Sequence, residues 1–306
     1  MPELLSLWLR EQFKLIKPLL RARSNQADRN GQDLLGKLAV RSFGDRVIYV
    51  HDPLTHCAAD WAYPSAPCVT QSPILYLHGG GYTAGSLEYA RGFGGVLAER
   101  TQRRVYCVGY RLAPEDPFPA ALDDAREAYL HLLEEVPAER ILLAGESAGG
   151  GLCFALLHDL RARGIPFPAG VVAISPWTDL TMSGDSYRTN EKVDPTLYYD
   201  RLKDSADAYA AGNLSDPLVS PLFGDFHNFP PALLFAGGDE LLLDDSVMLY
   251  NRYIRCGSPC TLHIEDGMWH VYVLFGLQES KAAIAQIEAF CGQLVPPPEV
   301  KEHDEA

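Results

Sequence analysis

The stretch Ile141-Leu142-Leu143-Ala144-Gly145-Glu146-Ser147-Ala148-Gly149-Gly150-Gly151-Leu152-Cys153-Phe154-Ala155-Leu156-Leu157 decides how this chain is read. An apolar run of strand length leads into a G-x-S-x-G turn, and a helix-like apolar segment follows. In that context the turn is a nucleophile elbow. It is tight enough to strain the serine backbone, and small residues two before and two after avoid collisions. Ser147 then projects above a sheet at a helix N-terminus, whose dipole favours developing negative charge. The same pattern arises by chance as a Gly-rich turn with a surface serine. The strand before it and the helix after it argue for the elbow.

Working outward, short apolar runs alternate with helix-like segments. The runs are Val47–Val50, Ile74–Leu77, Val105–Val108, Ile141–Ala144, Val171–Ile174, Leu233–Ala236 and Leu262–Ile264. Helical segments are expected at Ala90–Glu99, Ala120–Glu135, Leu152–Arg163, Asp245–Arg255 and Lys281–Leu294. Near-continuous apolar strands alternating with helices predict an α/β chain, with a mostly parallel sheet covered on both faces. Residues 178–230 break the rhythm. They are rich in Asp, Ser, Tyr and Pro, with a helical piece near Leu202–Ala211, and read as an insertion over the sheet's C-terminal edge. At the N-terminus, Leu5, Trp8, Leu9, Phe13, Ile16 and Leu20 fall on one helical face, which predicts a helix packed on its own protein. The Pro-led acidic tail 296–306 is expected to be disordered.

A second motif, His78-Gly79-Gly80-Gly81, follows the run Ile74–Leu77. Such a loop can aim backbone N–H groups at one point, where side chains would block the approach, and so meet an oxyanion. A serine nucleophile also needs a base and an orienting carboxylate. His270 is the histidine left after those in helices, strands, the insertion and the tail are set aside. It follows the run Leu262–Ile264 and a turn, at a strand's C-terminal end. The acid belongs on the loop after Leu233–Ala236, where Asp239 and Glu240 are both candidates. The order serine, acid, histidine is that of α/β-hydrolases.

Composition narrows the partners. The 306 residues carry 26 Lys+Arg against 40 Asp+Glu, a formal charge of −14. That surface repels phosphate backbones, so no nucleic-acid partner is expected. Seven cysteines without a CxxC fit reduced thiols in a cytoplasm. No apolar run reaches the length of a membrane span, and the N-terminus lacks a signal-peptide layout. A cytoplasmic protein without a membrane association is expected, with no cofactor and no metal. Neither His51/His56 nor Cys256/Cys260 has the context of a metal site.

Taken together, these residues resemble the hormone-sensitive-lipase-like family of α/β-hydrolase esterases, which includes bacterial acetyl esterases. The likeness rests on several motifs in order. They are His78–Gly81 with Tyr82 and Gly85, Tyr110-Arg111-Leu112-Ala113-Pro114-Glu115, Gly145–Gly150, and Asp216-Pro217-Leu218-Val219-Ser220-Pro221. The resemblance implies an eight-stranded, mostly parallel sheet flanked by helices, in a catalytic domain spanning 41–295. It also implies a cap made of N-terminal helices (1–40) and an insertion at about 178–215. The activity implied is hydrolysis of short-chain acyl esters, acetyl to hexanoyl, by Ser147, His270 and an acid. The family register, set by Asp244, favours Glu240, while the missing proline of the usual D-P pair keeps Asp239 open. Backbone N–H groups of Gly79, Gly80 and Ala148 would hold the oxyanion, and Tyr82, Trp177 and Trp269 would lie near the substrate. A homodimer through the edge near Leu262–Glu265 is a further implication. Amide or lactone hydrolysis would use the same triad. A small-molecule receptor is the reading from another class. Plant gibberellin receptors share the fold but have lost the histidine that stands here as His270.

Overall fold

The computed structural model describes residues 3–21, 24–68 and 71–296; residues 297–306 of the expected disordered tail lie outside them. Two helices open the chain, α1 (Leu4–Arg21) and α2 (Asn25–Phe43). The strands are β1 (Val47–His51), β2 (Ala58–Pro64), β3 (Ile74–Leu77), β4 (Val105–Gly109), β5 (Leu142–Glu146), β6 (Gly170–Ile174), β7 (Ala232–Gly237) and β8 (Cys260–Glu265). Between and after them run α3 (Leu87–Thr101), α4 (Ala120–Glu135), α5 (Ala148–Arg163), α6 (Ser186–Thr189), α7 (Tyr199–Tyr209), α8 (Leu243–Arg255) and α9 (Gln278–Leu294).

All eight strands form one sheet in the order β1-β2-β4-β3-β5-β6-β7-β8. The pairs β1–β2 and β2–β4 are antiparallel and the other pairs are parallel. Side chains alternate across a strand, so an apolar run feeds two cores at once. Leu75, Leu77 and Leu143 enter the core shared with α4, α5 and α8. Ile74, Tyr76, Leu142 and Ala144 enter the core under α3 and α9. This is why the central strands are apolar at almost every position.

Strand β2 has no counterpart in the expected runs. Its segment, Ala58-Ala59-Asp60-Trp61-Ala62-Tyr63-Pro64, is interrupted by a charge. Asp60 is nonetheless buried, because Arg91 and His51 both pair with its carboxylate.

The helix expected at the N-terminus is only partly inward. Leu9 and Phe13 pack against the α3/α9 core, whereas Leu5, Trp8 and Ile16 are exposed. The apolar face is broader than the seam that docks. Helix α2 lies tight against α3, where a Cβ on Gly36 would sit 2.0 Å from the Glu88 carbonyl oxygen. Among the described residues, no helix is long and apolar enough to cross a membrane.

The insertion after β6 is stitched to α8 through a buried carboxylate. Asp245 accepts the N–H groups of Thr178 and Asp179, each at 2.8 Å, and the Tyr187 hydroxyl at 2.8 Å. Burial, with Asp179 nearby, pushes its carboxyl well above the usual range despite these donors. Ser220, from the Asp216–Pro221 motif, ties the insertion to itself by accepting the Leu180 N–H at 2.8 Å. Helix α7 then lies over the HGGG loop: Ser205 is 3.2 Å from Thr83, and Tyr209 stacks on Tyr82 at 3.8 Å.

Candidate active site

The turn between β5 and α5 carries the strain that its sequence demands. Ser147 has φ 54° and ψ −123°, a conformation that costs an ordinary residue on the order of 1–3 kcal/mol. The flanking glycines are sterically required. A Cβ at Gly145 would lie 2.5 Å from the Gly149 carbonyl oxygen, and one at Gly149 would lie 2.0 Å from that of Leu77. The Ser147 N–H donates to the Ile174 carbonyl at 2.9 Å, which fixes the turn against β6.

Ser147, Glu240 and His270 follow β5, β7 and β8, so all three stand at the C-terminal edge of the parallel strands. Ligands of such sheets bind at that edge. The structure brings the three together. Ser147 Oγ lies 2.9 Å from His270 Nε2. With the imidazole proton on Nδ1, the hydroxyl donates to Nε2. His270 Nδ1 faces Glu240 Oε2 at 3.7 Å, longer than a hydrogen bond. Glu240 is fully buried, and its Oε2 accepts the Ser175 hydroxyl at 2.6 Å and the Gly237 N–H at 3.1 Å.

Asp239 is turned away from this group. Its carboxylate pairs with Arg10 of α1, and its side chain is 28% exposed. Geometry therefore separates the two acids that sequence left side by side. Ser175 is a residue that sequence reasoning missed. Besides donating to Glu240, its Oγ accepts the Val271 N–H at 3.0 Å, so it ties the acid to the loop carrying His270. A lone serine at a strand end carries no sequence signal for that role.

The HGGG loop corrects one expectation. The Gly79 N–H donates to Glu146 Oε1 at 2.6 Å and is not a free donor. The N–H groups of Gly80, Gly81 and Ala148 have no partner among the described residues. Gly81 thus stands in place of the expected Gly79 among the N–H groups without a partner, and Glu146, the variable residue of the G-x-S-x-G turn, is the cause. It is buried beside Ser147 and also accepts the Tyr76 hydroxyl at 2.5 Å. Burial pushes its carboxyl up to about 7, although Tyr76, the Gly79 N–H and Tyr89 pull it down. His78 fills the space under the loop, stacked on Tyr110 at 4.2 Å, and burial lowers its imidazole to about 4. A Cβ on Gly85 would meet that ring at 2.2 Å, which explains the glycine there.

Of the three aromatics expected near the substrate, Tyr82 and Trp177 lie together, with ring centroids 6.1 Å apart. Trp269 does not join them. Its ring packs edge-on against Phe13 and Phe275 in the other core, because it points opposite to its neighbour His270. The site is nearly closed, with Ser147 8% and His270 6% exposed. Among the described residues, one group of mixed metal-ligand types gathers, Asp225, His227 and Cys256. It does not include the residues around Ser147, and Asp225 is also paired with Arg161.

A strained serine elbow at the C-terminal edge of this sheet, with a histidine on its hydroxyl, is the architecture of an α/β-hydrolase. A family model described as an alpha/beta hydrolase fold matches residues 74–274. The chain is 36% identical to an acetyl-hydrolase of Streptomyces hygroscopicus over 289 residues, which is 91% of this chain and 95% of that protein. A crystal structure of the esterase EstE5, soaked in p-nitrophenyl butyrate, superposes with TM-score 0.87 at 34% identity, covering 94% and 97% of the two chains. An esterase described as a member of the bacterial hormone-sensitive lipase family superposes with TM-score 0.86 at 35% identity, covering 93% and 97%. The chain belongs to the α/β-hydrolase family, in its bacterial hormone-sensitive-lipase branch, and is a carboxylic ester hydrolase.

Proposed function

We propose that the chain hydrolyses esters of short carboxylic acids, acetyl to hexanoyl, through Ser147, His270 and Glu240. The observation that carries the reading is the 2.9 Å contact between Ser147 Oγ and His270 Nε2, with unpartnered N–H groups of Gly80, Gly81 and Ala148 close by. Ser147 Oγ attacks the ester carbonyl carbon while His270 Nε2 takes its proton. Glu240 orients the imidazole and offsets its charge, and the three N–H groups receive the oxyanion. The intermediate expels the alcohol, which takes the proton from His270. Water, deprotonated by His270, then attacks the acyl-serine; the acid leaves and Ser147 regains its proton.

Support for a short acyl group comes from the covered site. Ser147 is almost closed to solvent, and Tyr82, Trp177 and Tyr209 are fully buried. The Streptomyces relative is named an acetyl-hydrolase. The reading includes a small-molecule ester as ligand, a cytoplasmic setting in keeping with seven free cysteines, and self-association through the open edge of β8. No cofactor is invoked.

The test is the initial rate on p-nitrophenyl esters of increasing acyl length, beside a panel of amides and lactones. A maximum at acetyl or butanoyl supports the proposal. A maximum at long chains, or faster turnover of amides or lactones, overturns the substrate class. Ligand binding by folded protein without turnover favours a receptor.

A further inference from the structure

We propose that Arg10 of α1 is a positioning residue for the His270–Glu240 pair, which makes the N-terminal helix a working part of the site. The inference rests on the triad reading above. Its guanidinium reaches three separate segments at once. Nη1 donates to the Gly267 carbonyl at 2.9 Å, on the loop just before His270. Nη2 donates to the Val193 carbonyl at 3.3 Å, in the insertion. The same fork pairs with the carboxylate of Asp239, the residue directly before Glu240. The Arg10 side chain is only 14% exposed.

Each contact grips the backbone beside a triad member. Asp239 holds the chain on one side of Glu240. On the other side, the Leu241 N–H donates to Asp194 at 2.8 Å, and Asp194 follows the Val193 that Arg10 contacts. Lys17 of α1 fastens the same turn through the Asp194 carbonyl at 2.5 Å. Asn190 donates to the Glu240 carbonyl at 2.9 Å, so the insertion is also bonded to the acid loop. Next to His270, Trp269 packs edge-on against Phe13 of α1 at 5.6 Å.

The acid and the base face each other without a hydrogen bond between them. Their closest approach is 3.7 Å, and both His270 Nδ1 and Glu240 Oε1 lack a hydrogen-bond partner. Their separation is therefore set by the loops that carry them, and Arg10 joins those loops from outside, alongside Ser175 and the Asp239 N–H bond to the Met268 carbonyl at 3.0 Å. A planar fork suits three partners in different directions; a lysine ammonium is a point charge that meets fewer of them. The clip also neutralises Asp239, whose charge would otherwise stand unpaired beside Glu240. Arg10 touches neither Ser147 nor His270, so its effect passes through the loops.

The test uses the full chain with p-nitrophenyl acetate. Arg10→Ala is expected to lower kcat by ~10- to 100-fold with KM changed less than about twofold, the scale of a small misplacement of reacting groups. Arg10→Lys should recover part of the loss. Adding Asp239→Asn to Arg10→Ala should lower kcat no further. A folded Arg10→Ala with wild-type kcat, or a loss not recovered at all by lysine, overturns the proposal. If Arg10→Ala does not fold, Asp239→Asn alone decides, because α1 keeps its Phe13 and Lys17 contacts: an unchanged kcat overturns the clip. Failure of the underlying triad reading is seen separately, as full turnover in Glu240→Gln.

Discussion

Replacing Glu146 by Gln tests the electrostatics beneath the HGGG loop. The carboxyl sits at about 7 in the folded protein against an ordinary 4.5, and burial is the main cause. Between those values the folded state keeps a proton that the unfolded chain has lost. Wild-type stability therefore falls as pH rises through this window, and the full penalty is present above it. A difference of 2.5 units, at 1.36 kcal/mol per unit, corresponds to about 3 kcal/mol in all. Most of it develops between about pH 5 and pH 8. Glutamine keeps the shape and an acceptor for the Gly79 N–H but does not titrate. The assay is urea unfolding of both proteins at the two pH values. Relative to wild type, Glu146→Gln should gain roughly 2–3 kcal/mol on going from about pH 5 to pH 8. Other titrating groups are common to both proteins and drop out of the comparison. A difference that is constant within about 1 kcal/mol would refute the reasoning.

Three further outcomes are expected. Gly149→Ala places a Cβ 2.0 Å from the Leu77 carbonyl oxygen, backbone against backbone, and should destabilise by about 3 kcal/mol or more, read from the unfolding midpoint. Glu240→Gln should lower kcat by roughly 10³-fold or more, whereas Asp239→Asn should lower it by at most about 100-fold; the reverse ranking would reassign the acid. Ser175→Ala removes the hydroxyl between Glu240 and the Val271 N–H, and should cost about 1–3 kcal/mol of stability together with a fall in kcat.

The parts legible in the sequence are those governed by local sterics and periodicity. The turn around Ser147 needs glycine at 145 and 149 because of backbone atoms within a few residues or on the adjacent strand, and the runs around it are apolar because two cores share the sheet. Long-range pairings left no such trace. Asp239 and Glu240 are neighbours in the chain; what separates them is Arg10, from the other end of the sequence. Which N–H groups of the HGGG loop are left without a partner depends on where the Glu146 carboxylate points, and a motif written in letters does not say. Strand β2 is hidden by Asp60, a charge that is tolerable in the sheet because Arg91, on the helix packed above it, and His51 both pair with it. The resemblance puts Trp269 near the substrate, yet its ring fills the opposite core.

The most direct test of the central claim is mass spectrometry of the protein quenched during turnover of p-nitrophenyl acetate. The account predicts a transient acetyl adduct on the peptide carrying Ser147, accompanied by a burst of p-nitrophenol, with both lost in Ser147→Ala. Acetylation at another residue, or undiminished ester hydrolysis by folded Ser147→Ala, would contradict it.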